Sequence, residues 1–264
     1  MLINLQQSKI NYASEQSKAR LKQGRAGSER SAPAIYHYDY LLLSRLARDI
    51  TELAALVATP GSDAICIDIG GGYSPYRELF KKRGYRVLTV DPDEGCQPDM
   101  VGCIDQLPIE SATVDLIICT QVLEHCSNPW RGVREMARAL KPGGALVFTV
   151  PHVWFYHPHP TDNYRFTQEG ACLLCEGDNN EPTGLKVERL MAQGGSAMCV
   201  LQVLCFMVFG LLGRYGAPIY AVINICAPVI DRLARNDWFC INFACLATKK
   251  EGYLDPMRVS LHSM

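Results

Sequence analysis

At 264 residues the chain fits one α/β domain of ordinary size with room for decoration. Hydrophobic residues make up 48% and charged residues 20%, enough to bury a large core, which excludes a disordered chain, a collagen-like fibre and a coiled coil. Lys and Arg number 26 against 27 Asp and Glu, a net charge of -1, so no overall basic field exists to hold nucleic acid through its phosphates, and no nucleic-acid partner is expected.

Residues 1–34 carry Lys9, Lys18, Arg20, Lys22, Arg25 and Arg30 against Glu15 and Glu29, with few apolar anchors, and read as a solvated basic arm. Met1 to Arg30 has no apolar stretch of the secretory kind, so the 12 cysteines are expected as reduced thiols of a cytosolic protein. Most of them sit in apolar runs, where a thiol packs like a small hydrophobe. Cys172 and Cys175 have redox-motif spacing but lack both the strand-to-helix context and a second cysteine pair for zinc.

Residues 35–60 read as a helical extension: Leu42, Leu43, Leu46, Ala47, Ile50, Leu53, Ala54 and Val57 recur at helical spacing until Pro60-Gly61 ends the run. The main domain is placed at 61–250. Its runs Ala64–Ile69, Arg86–Val90, Val114–Cys119 and Ala145–Val150 are apolar without polar alternation, as strands buried on both faces are, which predicts a parallel sheet covered by helices. Asn128 and Pro129 start a helix before the fourth of these runs, and Lys141-Pro142-Gly143-Gly144 is read as its stop. After Val150 come a loop to Arg165, a short helix from Thr167, a strand at Leu185–Leu190, a helical insertion at 194–233, a strand at Phe239–Ala247 and a polar tail at 251–264.

The sharpest local signal is Asp68-Ile69-Gly70-Gly71-Gly72 at the end of the first strand, where glycines let a ligand approach the backbone beyond the strands' C-terminal ends. A dinucleotide fingerprint would need Gly at its sixth position, where Pro75 stands, and Asp68 suits a cationic amine better than a pyrophosphate. Asp91 ends the second strand about 20 residues beyond the glycines, the offset of a carboxylate that accepts from ribose hydroxyls. Asp105, in Cys103-Ile104-Asp105-Gln106-Leu107-Pro108, follows the presumed third strand. Each acid alone could be a cap or a surface charge; three at the ends of successive strands form a pattern.

With Gln121-Val122-Leu123-Glu124-His125 after the fourth strand and Leu140-Lys141-Pro142-Gly143-Gly144 before the fifth, the chain resembles the class I S-adenosylmethionine-dependent methyltransferases over about residues 62–170. The resemblance implies a doubly wound, Rossmann-like sheet of seven strands, here with an N-terminal helical extension and a hydrophobic insertion before the last strand. It also implies S-adenosylmethionine as cofactor: Asp68 for the methionine amino group, Gly70, Gly71 and Gly72 as floor, Asp91 for the ribose, Asp105, Gln106 and Leu107 around the adenine, and Gln121 with Val122 near the methionine. Ser74 departs from the family, many members of which have a third glycine there. Ser74–Phe80 and His157–Thr167 further resemble a branch linked to bacterial surface-polysaccharide synthesis.

A methyl acceptor with a hydroxyl needs a base, and histidine suits neutral pH. His152, His157 and His159 fall in the loop after the fifth strand beside Asp162, Tyr164 and Arg165, with His157 first choice and loop-fixing hydrogen bonds as the alternative role. No metal is expected, since the sequence shows no further ligand cluster near them. Gly194 to Gly213 carries no charge, and Gly216 to Ile230 is a second apolar run, read as a hairpin lying on a membrane or covering the site. The acceptor is expected to be a small molecule, a sugar or a lipid-linked compound, and the protein cytoplasmic with peripheral contact to the inner membrane face. An NAD(P)-dependent oxidoreductase and a non-catalytic, membrane-associated cofactor binder remain the alternatives.

Overall fold

A computed structural model describes residues 30–253 except 159 and 179; the tail beyond 253 and nearly all of the basic arm lie outside the described residues. Seven strands form one sheet in the order β3-β2-β1-β4-β5-β7-β6. They are β1 (Ile65–Ile69), β2 (Arg86–Asp91), β3 (Met100–Val101), β4 (Val114–Thr120), β5 (Leu140–Pro151), β6 (Leu185–Gln193) and β7 (Asn242–Lys249). The neighbours from β3 through β5 run parallel, and β7 lies antiparallel between β5 and β6.

Six α-helices of six residues or more lie among the described residues: α1 (Tyr40–Leu56), α2 (Arg77–Lys82), α3 (Pro129–Ala139), α4 (Gln168–Glu176), α5 (Ser196–Leu212) and α6 (Ala217–Leu233). Strand pleating sends alternate residues to opposite faces. Thus Cys66, Leu116, Ile118 and Val147 pack against Leu46, Ile50 and Leu53 of α1 and Phe80 of α2. Ile67, Ile117, Cys119 and Phe148 pack against Val133, Met136 and Ala137 of α3 and Leu174 of α4 on the other face. Both faces are therefore covered, which is why these strands read as unbroken apolar runs. The start of α3 is as expected, with the Asn128 side chain accepting from Arg131 N and Pro129 in the first turn. Lys141–Gly144, however, is part of β5: Leu140 already pairs with Val114, and Gly143 takes a positive φ of 73° within an irregular stretch of that edge. None of the 12 cysteines, all among the described residues, forms a disulfide.

The insertion is a helical hairpin. Its α5 and α6 pack on each other and its two ends meet: Asp231 Oδ1 accepts from Gly195 N at 3.0 Å and Met198 N at 3.0 Å, and Ser196 N donates to Asn236 O at 2.9 Å. Entry and exit therefore lie side by side, and β6 and β7 pair along their length beneath them.

Candidate active site

Strands β1, β2 and β3 step one way from the centre of the sheet and β4 and β5 the other, so the loops after β1 and β4 diverge and leave a crevice beyond their C-terminal ends. Gly70 N donates to Val90 O at 2.8 Å, which turns the chain across the sheet end with a φ of 64°. A Cβ on Gly70 would stand 2.6 Å from a Val122 methyl, and one on Gly71 2.5 Å from the Asp68 carboxyl, so the floor of the crevice admits no side chain at either position.

The crevice is a cavity of about 970 Å³, at the upper end of the range for small-ligand sites and roomy enough for a nucleoside-sized cofactor beside an acceptor. Gly70, Gly71, Gly72, Asp91, Asp105, Gln121, Val122 and His157 line it. Asp91 is 8% exposed; Oδ2 accepts from Gly72 N at 3.0 Å and Oδ1 from Asp93 N at 2.9 Å, which fixes the carboxylate at the rim of the glycine turn. Gln121 adopts a φ of 55° and donates from its backbone and side chain to Thr149 Oγ1 at 3.2 and 3.1 Å.

Asp68 does not line the cavity. It lies beneath the glycine turn at 1% exposure, with Oδ2 accepting from Ser74 Oγ at 2.6 Å and Oδ1 without a hydrogen-bond partner. Burial raises its pKa to about 6, against the lowering effect of Ser74 and Arg77. Ser74, which departs from the family's third glycine, thus holds the acid from below. Gln106 and Leu107 also lie outside the lining. Leu107 is packed into the core and donates its amide to Glu135 at 3.0 Å, and Ile104 faces the cavity in its place.

Of the five loop candidates among the described residues, His157 alone lines the cavity. His152 Nδ1 lies 2.8 Å from Phe166 O with its ring against Phe243, and Tyr164 donates to Ser127 O at 3.1 Å. Arg165 grips Asp162 with Nη1 at 2.5 Å and Nη2 at 2.7 Å and donates to Phe155 O at 2.8 Å. Burial works to raise the Asp162 pKa, but Arg165, the His157 amide and the His157 ring outweigh it and hold the pKa at about 2. These four side chains tie the loop into shape, and Asp162 orients His157 from 3.2 Å. His159 lies outside the described residues.

Sequence reasoning missed a group that comes from remote segments. Arg30, His37, Tyr38, Trp154 and Phe206 line the cavity too. Phe206 of α5 meets Trp154 at 4.9 Å, Phe155 at 4.6 Å and Tyr38 at 5.1 Å between ring centres, so hairpin, loop and N-terminal segment form one aromatic wall. The other missed residue is Glu124, next to His125, which the sequence places at the cofactor pocket rather than as the base. Glu124 is fully buried with neither carboxylate oxygen hydrogen-bonded, and burial pushes its pKa up to about 8. His125, lining the cavity, has its pKa lowered by burial.

Comparison with known proteins agrees with this geometry. Residues 67–148, from β1 through β5, match a family described as a methyltransferase domain. Over that stretch the chain is similar to a methyltransferase domain, and its sheet has the fold of the class I methyltransferases. An uncharacterized methyltransferase of Mycobacterium sp. (strain KMS) is 32% identical over 111 residues, covering 38% of this chain and 43% of the relative. A malonyl-(acyl-carrier protein) O-methyltransferase of Serratia marcescens is 26% identical over 123 residues, 42% of this chain and 48% of that one. The matched part of the chain spans less than half the length of these curated relatives. Among solved structures, an S-adenosylmethionine-dependent methyltransferase from Archaeoglobus fulgidus superposes with a TM-score of 0.52 at 14% identity, covering 80% of this chain and 97% of that one. The cyclase SpnF does so with a TM-score of 0.52 at 18% identity, covering 78% and 82%. A cyclase among the neighbours means that the shared methyltransferase fold does not by itself fix the chemistry. The side-chain-free glycine floor, the fixed Asp91 and the buried acid Asp68 fit S-adenosylmethionine, the cofactor of this class.

Proposed function

We propose that the protein transfers a methyl group from S-adenosylmethionine to an acceptor that reaches the site from a membrane surface, a lipid-linked or otherwise amphipathic compound. The observation that carries this reading is the single cavity that runs from the glycine turn to His125 and His157 and is walled on its far side by Phe206 of the hairpin. When bound, S-adenosylmethionine supplies an electrophilic methyl and its own leaving group, so the protein's work is alignment. Gly70 to Gly72 and Asp91 would hold the nucleoside end, Asp105 and Ile104 would flank the base, and Gln121 and Val122 would sit nearest the methionine end. Asp68 would act on the ammonium group from beneath the turn.

The membrane part of the reading is supported by a hairpin turned inside out. Gln202 accepts from Leu42 N at 3.0 Å and donates to Tyr38 O at 2.7 Å, and Asn224 donates to Ile35 O at 2.7 Å and His37 O at 2.9 Å. Gln202 and Asn224 thus point into the protein, whereas Met207, Leu211, Val222, Ile225, Val229 and Leu233 are exposed, with Arg232 the exposed charge near the end of α6. So large an apolar surface with polar groups at its back is a contact face rather than a core. Each helix has 17 residues, about 25 Å at 1.5 Å per residue and short of the ~30 Å bilayer core, which favours lying in the interface over crossing it.

Full-length protein incubated with methyl-labelled cofactor and fractionated cells should place label in the lipid extract, and the protein should float with anionic liposomes. Met207→Glu with Val222→Glu should cut flotation at least tenfold while cofactor binding persists. Label confined to water-soluble products, with no flotation, would overturn the membrane acceptor and leave the methyltransferase reading standing.

A further inference from the structure

Glu124, His125 and His157 come from two loops that meet at one end of the cavity, and each offers a ligand atom within 4.8 Å of the others. The polypeptide has arranged them in an unusual state. A fully buried carboxylate with no hydrogen bond on either oxygen is costly unless a cation faces it. Both imidazoles, in contrast, are held by their far nitrogen. His125 Nδ1 is hydrogen-bonded to Thr161 O, while Nε2 stands 3.8 Å from Glu124 Oε1. His157 Nδ1 lies 2.9 Å from Phe155 O and 3.2 Å from Asp162 Oδ2. A carbonyl or carboxylate that accepts a hydrogen bond from Nδ1–H leaves the Nε2 lone pair outward, the arrangement that backs metal-bound histidines. Thr161 Oγ1 and Asn163 Nδ2 both donate to His125 O, Asn163 at 3.2 Å, so the backbone carrying the first two groups is pinned as well.

We propose that Glu124, His125 and His157 bind one divalent first-row metal ion at the acceptor end of the cavity. Two imidazoles and one carboxylate suit Mn²⁺, Fe²⁺, Co²⁺ or Zn²⁺ better than Mg²⁺ or Ca²⁺, and three protein ligands leave positions open toward the cavity that His125 and His157 line. Its catalytic use rests on the methyl-transfer reading; its existence does not. An acceptor hydroxyl coordinated there would lose its proton to water, the oxygen lone pair would form the new bond to the methyl carbon, and the carbon–sulfur pair would stay on sulfur. His157 would then serve as a ligand, and no free imidazole base would be needed.

The test uses chelator-treated full-length protein titrated with Mn²⁺, whose free aquo ion is counted by electron paramagnetic resonance and which disfavours the 12 thiols that would capture softer ions. One Mn²⁺ per chain should bind. Glu124→Gln and His157→Ala should each weaken it by at least tenfold, with melting temperature no lower than a few degrees below wild type and S-adenosylhomocysteine affinity unchanged. Absence of Mn²⁺ binding in the wild type, or equal binding by both variants, would overturn the site. Loss of S-adenosylhomocysteine binding in the wild type would instead remove the methyl-transfer reading, whatever the Mn²⁺ count.

Discussion

Asp68 carries its charge at 1% exposure with one oxygen on Ser74 and the other unbonded, so ionising it in the ligand-free protein is unfavourable. Burial raises its pKa to about 6, from about 3.9 in an unfolded chain. Folding therefore favours the protonated acid. Its contribution is complete below pH ~4 and is lost as pH rises toward ~6, the reverse of an ion-paired carboxylate. Asp68→Asn, which keeps an acceptor for Ser74 and carries no charge, should gain stability relative to wild type across that window, by about 2 kcal/mol at its upper end. Urea unfolding at pH 4, 5, 6 and 7 checks this; a pH-independent difference would show that Asp68 is solvated or paired in the ligand-free state. The same carboxyl is the reason Gly71 tolerates no Cβ, so one residue sets both the electrostatics and the shape of the cofactor floor.

The hairpin depends on a capping interaction from its own far end. Asp231 is 5% exposed and accepts from Gly195 N and Met198 N at the start of α5, which otherwise has no side-chain cap. Asp231→Ala should cost about 1–2 kcal/mol through the lost cap and the buried amides left unpaired. Amide hydrogen exchange at 195–198 should quicken while exchange in β1 and β4 stays slow; unchanged exchange at 195–198 would show that the two helix ends are not coupled. Elements of this kind differ in how far they can be read from sequence. β1, β2, β4 and β5 were legible because burial on both faces leaves an unbroken apolar run, and α3 because Asn128 and Pro129 mark its first turn. The antiparallel seat of β7 was not, since nothing local to Asn242–Lys249 says which neighbours it will have. Within the site, Gly70, Gly71, Gly72 and Asp91 were legible from their place at strand ends. Tyr38, Phe206 and the meeting of Glu124 with His157 were not, because contacts between remote segments bring them there, among them the hydrogen bonds of Gln202 and Asn163. Leu107 illustrates the converse: a plausible ring contact by sequence, it is drawn into the core under α3, and Ile104, buried in the same cluster, lines the cavity instead.

At the scale of the whole molecule, the parallel part of the sheet presents a glycine floor and fixed acids at one end, and a hairpin with an exposed apolar face adds Phe206 to the wall of that cavity. Every part of the functional account depends on that cavity holding S-adenosylmethionine. Calorimetry with S-adenosylhomocysteine is the most direct measurement of this claim, with NAD as the competing ligand and Asp91→Ala as the variant. The account predicts one site per chain, a loss of about 10–100-fold for Asp91→Ala because buried ribose hydroxyls lose their acceptor, and no heat with NAD. Tight NAD binding, or S-adenosylhomocysteine binding that ignores Asp91→Ala, would contradict it.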